Sequence, residues 1–237
     1  MTSSAPVRHW AAIPAGGSGR RMAGTLPKQY LPLAGRSVIE HTVERLGNHP
    51  RISGVVVAVS AGSAHWSSLR PSARAPILTA PAGEERCHSV LNALQRLREM
   101  ASSQDWVLVH DAVRPCVRRE DLDRLMREVA EDEVGGLLAL PVTDTLKRAD
   151  PQGRVLETVD RAGLWRAATP QMFRLDALSQ ALKTAIEEGV TVTDEAAAME
   201  RAGLRPRLVP GHGDNIKITY PQDLALAELF LKQQAAE

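Results

Sequence analysis

Cysteine is scarce in this chain: Cys87 and Cys116 are the only two in 237 residues. One pair cannot build the disulfide framework of a small secreted protein, and such scarcity points to a reducing compartment. Aromatic residues make up 3% of the sequence, too few for the stacking platforms that hold single-stranded nucleic acids. An excess of either charge is missing too, since 29 Lys and Arg against 28 Asp and Glu leave a formal net charge of +1. No global field therefore draws the chain to DNA, RNA or an anionic membrane. The apolar runs, such as residues 55–59, fall far short of the ~20 residues that cross a bilayer. Residues 1–10 lack the apolar core of a secretory signal. Together these absences predict a cytoplasmic protein with neither nucleic acid nor membrane as a partner.

What is present fits one folded unit. A chain of this length buries roughly 70–75% of its unfolded surface and needs no staples. The sequence shows no repeat, low-complexity stretch or linker, so residues 1–237 read as a single domain. β-Branched runs at residues 7–13, 54–59, 106–110 and 136–142 are separated by helical patterns, the signature of an α/β, doubly wound, mostly parallel sheet. Ser37 and Glu40 have the spacing of a capping box, and Ile39, Val43 and Leu46 follow on one helical face. Leu122, Leu125, Met126 and Val129 give the cleanest amphipathic helix. Two polar strand-like runs, 145–148 and 155–159, flank Asp150-Pro151-Gln152-Gly153, a turn signal. They carry too few apolar residues for a central core and predict a projecting β-arm at about 143–161 that packs on a partner subunit. The α/β pattern resumes at 177–186, 195–201, 207–210 and 216–219, and a last helix is expected to begin with Thr219-Tyr220-Pro221-Gln222, an N-terminus signal, and to run through 224–231.

The chemistry concentrates after the first strand, at Pro14-Ala15-Gly16-Gly17-Ser18-Gly19-Arg20-Arg21-Met22. Between Ala11 and Ile39 there is no acidic residue, while Arg20, Arg21, Lys28 and Arg36 all fall there. Glycines directly after a strand let backbone N–H groups approach an oxyanion; the alternative is a solvated turn with incidental arginines. The Walker loop is excluded because no Gly-Lys-Ser/Thr occurs, and Met22 stands where a dinucleotide fingerprint needs glycine. A nucleophile elbow would need glycine at Arg20. His110-Asp111-Ala112-Val113-Arg114-Pro115 closes another strand, at the edge where open α/β sheets bind ligands. Asp111 there can hold a metal beside a triphosphate or simply cap a helix and pair with Arg114. His110 reads as a core residue.

Arg21-Met22 followed by Pro27-Lys28-Gln29 is similar to the nucleotidyltransferase signature. The further series Gly83-Glu84-Glu85-Arg86 with Ser89, residues 110–115, Asp144-Thr145, residues 158–161, Thr169-Pro170-Gln171, Thr193-Asp194-Glu195 and residues 214–219 resembles the 2-C-methyl-D-erythritol 4-phosphate cytidylyltransferases of non-mevalonate isoprenoid synthesis. The resemblance runs from about Ala11 to about Phe230. It departs at Ala82, where the pattern usually begins with a second glycine.

The resemblance implies transfer of a cytidylyl group from CTP to methylerythritol phosphate with Mg²⁺, and the polar arm, bracketed by Thr145 and Arg161, predicts a homodimer whose arms complete each other's sites. It puts Arg21 and Lys28 on the triphosphate, and Arg161 and Lys217 on the alcohol's phosphate. Pro14, Ala15, Gly16, Gly17, Gly19, Gly83, Arg86 and Ser89 are implied for the nucleotide. Asp111, Arg114, Thr145, Thr169 and Thr193 are implied for the alcohol substrate, with Asp111 also on the metal. Plainer readings stand beside these: Thr193 as the N-cap of the next helix, Lys217 as a solvent-facing lysine of a strand, Arg161 as a surface arginine. Rival functions are a cytidylyltransferase for another polyol phosphate, such as ribitol phosphate, and a non-catalytic nucleotide-sensing subunit. From the length, no fused second synthase is expected.

Overall fold

The computed structural model describes residues 6–17 and 26–236. Chain order is β1 (His9–Pro14), a 3-10 turn (Lys28–Tyr30), the two-residue strands β2 (Pro32–Leu33) and β3 (Arg36–Ser37), α1 (Val38–Gly47), β4 (Ile52–Val59), α2 (Ala64–Ser68) and β5 (Ile77–Pro81). There follow α3 (Arg86–Leu97), β6 (Trp106–Val109), α4 (Arg119–Val129), β7 (Gly135–Pro141), β8 (Leu146–Ala149) and β9 (Val155–Val159). The chain closes with β10 (Trp165–Arg174), α5 (Leu175–Glu187), α6 (Glu195–Arg201), β11 (Arg207–Pro210) and α7 (Gln222–Ala236).

Seven strands form the main sheet in the order β11-β7-β10-β6-β1-β4-β5. All neighbours run parallel except β10, which is antiparallel to both β6 and β7. Because the central strands are covered on both faces, they read as continuous apolar runs rather than alternating ones. Alternate β1 residues divide between two cores. Trp10 and Ala12 pack with α3, α5 and α6, while Ala11 and Ile13 pack with α1 and α4. The amphipathic stripe foreseen in α4 is buried as expected, with Leu125, Met126 and Val129 at 0% exposure. At α1 the Ser37 N–H donates to Glu40 Oε2 at 2.8 Å, the capping-box contact. A third cluster, with Ile218, Ala227 and Leu231, seats α7.

The sheet differs from expectation in several places. Residues 216–219 are not a strand: the Ile218 N–H donates to Val113 O, outside any ladder. The first strand begins two residues later than foreseen, while α7 starts at Gln222, within its expected N-terminus signal, and runs on past Leu231 to Ala236. Strands β5 and β10 had not been foreseen. The arm is present as the antiparallel hairpin β8–β9, its turn closed by Gly153 N–H to Asp150 O at 3.0 Å. Most of its side chains are exposed, including Val155 and Leu156. No helix among the described residues is long and apolar enough to cross a membrane.

His9 lies inside β1, 9% exposed. Burial, and after it the charges of Arg51, His49 and Arg174, pushes its pKa down from 6.5 to about 4. The fold therefore holds His9 neutral, whereas the unfolded chain protonates it near 6.5. Its contribution is complete above pH 6.5 and declines as pH falls toward 4, by up to about 3 kcal/mol. In His9→Gln, the drop in urea midpoint between pH 7.5 and pH 5 is expected to be smaller than in the unsubstituted protein. An equal drop would remove His9 from the acid sensitivity.

Candidate active site

From β1 the chain moves outward to β4 and β5, then crosses back to place β6 on the other side of β1. The order reverses between β1 and β6, and a crevice opens beyond their carboxyl ends, where ligands of open α/β sheets bind. Pro14 ends β1 and Asp111 follows β6, so the glycine loop and Asp111 meet at this edge.

The first wall consists of two loops in contact. A Cβ on Gly16 would sit 2.4 Å from the Ala82 Cβ, and one on Gly83 would sit 2.2 Å from the His88 Cβ. Both approaches require glycine, and Ala82 itself supplies the methyl group that Gly16 packs against. Ser89 Oγ accepts the Gly83 N–H at 3.0 Å and donates to Glu85 O at 3.2 Å, which fixes the turn into α3. From the opposite side the buried Gln29 donates through Nε2 to Ala15 O at 2.8 Å and Gly17 O at 3.0 Å. The resulting cavity of about 220 Å³ is bordered by Pro14, Ala15, Gly16, Gly17, Gly83 and Ser89, with Lys28, Arg86, Asp111 and Lys217 along one side. Lys28 Nζ donates to Ile218 O at 3.1 Å.

An adjoining cavity of about 160 Å³ shares Arg86, Asp111 and Lys217 and adds Arg114, Thr169 and Thr193. Asp111 forms the boundary. Its Oδ1 accepts from Arg86 Nε at 3.1 Å, and its Oδ2 lies 3.3 Å from Arg114 Nε and 3.1 Å from Lys217 Nζ. Burial pushes this carboxyl up, yet the charges of Arg86, Lys217 and Arg114 outweigh burial and hold it well below the usual carboxylate range. Arg114 reaches on to Asn215 O at 2.7 Å. Asn215 Nδ2 in turn donates to Thr169 O at 2.8 Å. Lys217 thus faces Asp111 from an irregular segment whose next residue, Ile218, is buried.

The histidine is internal. His110 has 0% exposure, and burial pushes its pKa down to about 4. Its Nε2 meets the carbonyl of Arg114 at 3.0 Å, which can only accept, so Nε2 carries the proton. Nδ1 then accepts from Thr169 Oγ1 at 2.9 Å, and that hydroxyl accepts the Asp111 N–H at 3.0 Å. The Thr169 hydroxyl is therefore occupied in orienting Asp111. Arg86 is similarly engaged, its Nη1 and Nη2 lying 2.6 and 3.0 Å from the Glu195 carboxylate. Thr193 is exposed, and Asp194 rather than Thr193 caps α6, accepting the Ala197 N–H at 2.9 Å.

One group of expected residues is not described, and another is not gathered here. Gly19 and Arg21 lie outside the described residues. Thr145 and Arg161 belong to the arm and line neither cavity of their own chain; Arg161 Nη1 closes the arm's root on Thr143 O. Conversely, the roles of Glu195 and Asn215, and the grip of Gln29 on the glycine loop, had not been read from the sequence. Among the described residues, the cluster of three side chains able to ligate a metal is Glu85, Cys87 and His88, at the start of α3. Asp111 is a single hard oxygen donor. It suits a cation such as Mg²⁺, which takes one or two carboxylates and completes its shell with water and substrate phosphates.

Comparisons with known proteins match over most of the chain. A family model described as 2-C-methyl-D-erythritol 4-phosphate cytidylyltransferase matches residues 10–233. The protein of that name from Pseudomonas aeruginosa is 54% identical over 225 residues, covering 94% of this chain and 96% of the relative. Its counterpart from Hahella chejuensis is 50% identical, covering 94% and 93%. A crystal structure of 4-diphosphocytidyl-2C-methyl-D-erythritol synthase superposes with a TM-score of 0.81 at 35% identity, covering 96% of this chain and 100% of that one. The Francisella tularensis 2-C-methyl-D-erythritol 4-phosphate cytidylyltransferase superposes with a TM-score of 0.80 at 32% identity, covering 94% and 99%.

Gln29 offers a test of the loop geometry alone. Gln29→Leu leaves the buried Ala15 carbonyl and the more exposed Gly17 carbonyl without their donor, a loss of about 1–3 kcal/mol. Amide hydrogen exchange over residues 15–17 is expected to accelerate, with the central strands less affected. Unchanged exchange there would mean that the loop is held by other contacts.

Proposed function

The chain belongs to the 2-C-methyl-D-erythritol 4-phosphate cytidylyltransferase family, and from that premise we propose that its two adjoining cavities hold the two substrates. The reaction is transfer of a cytidylyl group from CTP to 2-C-methyl-D-erythritol 4-phosphate, giving 4-diphosphocytidyl-2-C-methyl-D-erythritol and pyrophosphate for isoprenoid synthesis. The observation that carries the assignment of the cavities is that both share Arg86, Asp111 and Lys217. Two substrates seated side by side would meet at those three residues. CTP takes the glycine-walled cavity, where Pro14, Ala15, Gly16, Gly17, Gly83 and Ser89 face the nucleoside. The alcohol takes the cavity of Arg114, Thr169 and Thr193.

The nucleophile is a phosphate oxygen, largely dianionic near neutral pH because its second pKa is about 6. It attacks the α-phosphorus of CTP; a P–O bond forms, the bond to the bridging oxygen breaks, and pyrophosphate leaves. No general base is needed, and the inward-turned His110 supplies none. The protein's task is to bring two polyanions together and to stabilise charge in line. Lys28 and Arg21 do so on the triphosphate, and Lys217 on the alcohol's phosphate. Asp111, with the triphosphate oxygens, would hold Mg²⁺, whose charge offsets that of the phosphates. We read the enzyme as one cytoplasmic domain.

The arm is read as a dimerisation element. Val155 and Leu156 are 62% and 63% exposed on a hairpin with little core of its own, and Thr145 and Arg161 line neither of the two cavities of their own chain. In a homodimer, Arg161 would serve the partner's alcohol phosphate.

Pyrophosphate release from CTP and a panel of polyol phosphates tests the function. Release with methylerythritol phosphate is expected; preference for ribitol phosphate would move the substrate, and nucleotide binding without turnover would indicate a sensing subunit. Lys28→Ala is expected to lower kcat about 10²–10³-fold with a smaller change in KM for the alcohol. Half-retained kcat would remove Lys28 from the mechanism. Mixed dimers test the arm. Arg161→Ala and Lys28→Ala homodimers should each be nearly inactive. After subunit exchange, half the dimers carry one intact site, and activity should recover to roughly a quarter of the unsubstituted level. Exchange confirmed by mass without recovery would keep each arm on its own subunit.

A further inference from the structure

Glu195 is a buried carboxylate to which the reaction above gives no role. It has 0% exposure at the first turn of α6. Its position is set by a lock on that turn: Gln171 of β10 accepts the Ala196 N–H at 2.7 Å and donates to Asp194 Oδ2 at 2.9 Å. Asp194 Oδ1 caps the Ala197 N–H. From this fixed base the two oxygens of Glu195 take Nη1 and Nη2 of Arg86, a two-pronged pair that defines the plane of the guanidinium as well as its place. Only Nε remains directed at Asp111, at 3.1 Å.

The consequence lies at Asp111. A guanidinium free of Glu195 can rotate and grip Asp111 through two nitrogens, drawing that carboxylate away from Lys217, or swing into the nucleotide cavity. Held by Glu195, it does neither, and Asp111 stays shared among Arg86, Arg114 and Lys217. We propose that Glu195 is a positioning residue for cytidylyl transfer: by fixing Arg86 in the wall common to both cavities, it sets Asp111 and Lys217 where the alcohol phosphate meets the α-phosphorus. This inference rests on the assignment of the two cavities to the two substrates. Glu195 touches neither substrate, so its loss should damage alignment rather than binding. Misplacement of reacting groups by about 1 Å can cost 10²-fold in rate.

Glu195→Gln, nearly isosteric, tests this in the full-length enzyme with CTP and methylerythritol phosphate. We expect kcat per folded molecule to fall about 10–10²-fold, with KM for both substrates changed less than about threefold. The Arg86 Nη–H resonances in ¹⁵N-labelled protein, which Glu195 holds, should lose their protection from solvent exchange. Combining it with Arg86→Gln should add no further loss to that of Arg86→Gln alone, because the one residue acts through the other. An active Glu195→Gln enzyme with unchanged kcat would overturn the proposal while leaving the substrate assignment intact. A protein inactive toward methylerythritol phosphate even when unsubstituted would overturn the assignment itself. Should Glu195→Gln fail to fold, the neutral pair Arg86→Gln/Glu195→Gln is compared with Arg86→Gln. Equal kcat supports positioning through Arg86, and a further tenfold loss overturns it.

Discussion

The site is organised around one carboxylate. Asp111 is buried at the end of β6 with three cationic side chains on its two oxygens. Taking a charge out of water is costly unless it is fully partnered, and each partner arrives from a different part of the chain. Arg86 comes from α3, Arg114 from the turn after β6, and Lys217 from the segment before α7. Their convergence draws together elements that share no ladder. The Arg86–Glu195 pair extends the same logic to α6, and Asn215 extends it to the strand carrying Thr169. Pairing Asp111 is thus both a folding constraint and the means by which the two cavities acquire a common wall.

The glycine loop obeys a different constraint, close contact rather than charge. Gly16 against Ala82 and Gly83 against His88 leave no room for side chains, so the cavity floor is backbone. A floor without side chains lets a ligand approach the backbone closely. Gln29 keeps the loop from collapsing by holding two of its carbonyls from behind.

Local signals were readable in the sequence, and distant partnerships were not. The buried stripe of α4, the capping box at Ser37, the arm's turn at Asp150 to Gly153 and the loop after β1 all follow from spacing within a few residues. Strand β10 escaped because Pro170, with no N–H, sits in its interior; the register on β7 shifts between Ala167 and Gln171 to accommodate it. Residues 216–219 misled in the opposite way. Their alternation looks like a strand, but the carbonyls of Asn215 and Ile218 go to Arg114 and Lys28 instead of a ladder. Glu195 has a partner 109 positions away, and no local pattern announces such a pair.

Strand β10 also governs where the chain can change length. It begins at the arm's root with Trp165 and then delivers Thr169 to Asp111 and Gln171 to the start of α6. Side chains alternate along a strand, so adding or removing one residue there turns every later side chain to the opposite face. Thr169 and Gln171 would lose their partners together. The hairpin tip at residues 150–153 carries no such obligation, because nothing beyond β8 and β9 depends on its register. Insertions and deletions accumulated over descent should therefore gather at the tip of the arm, while the count of residues from its root to Gln171 stays fixed.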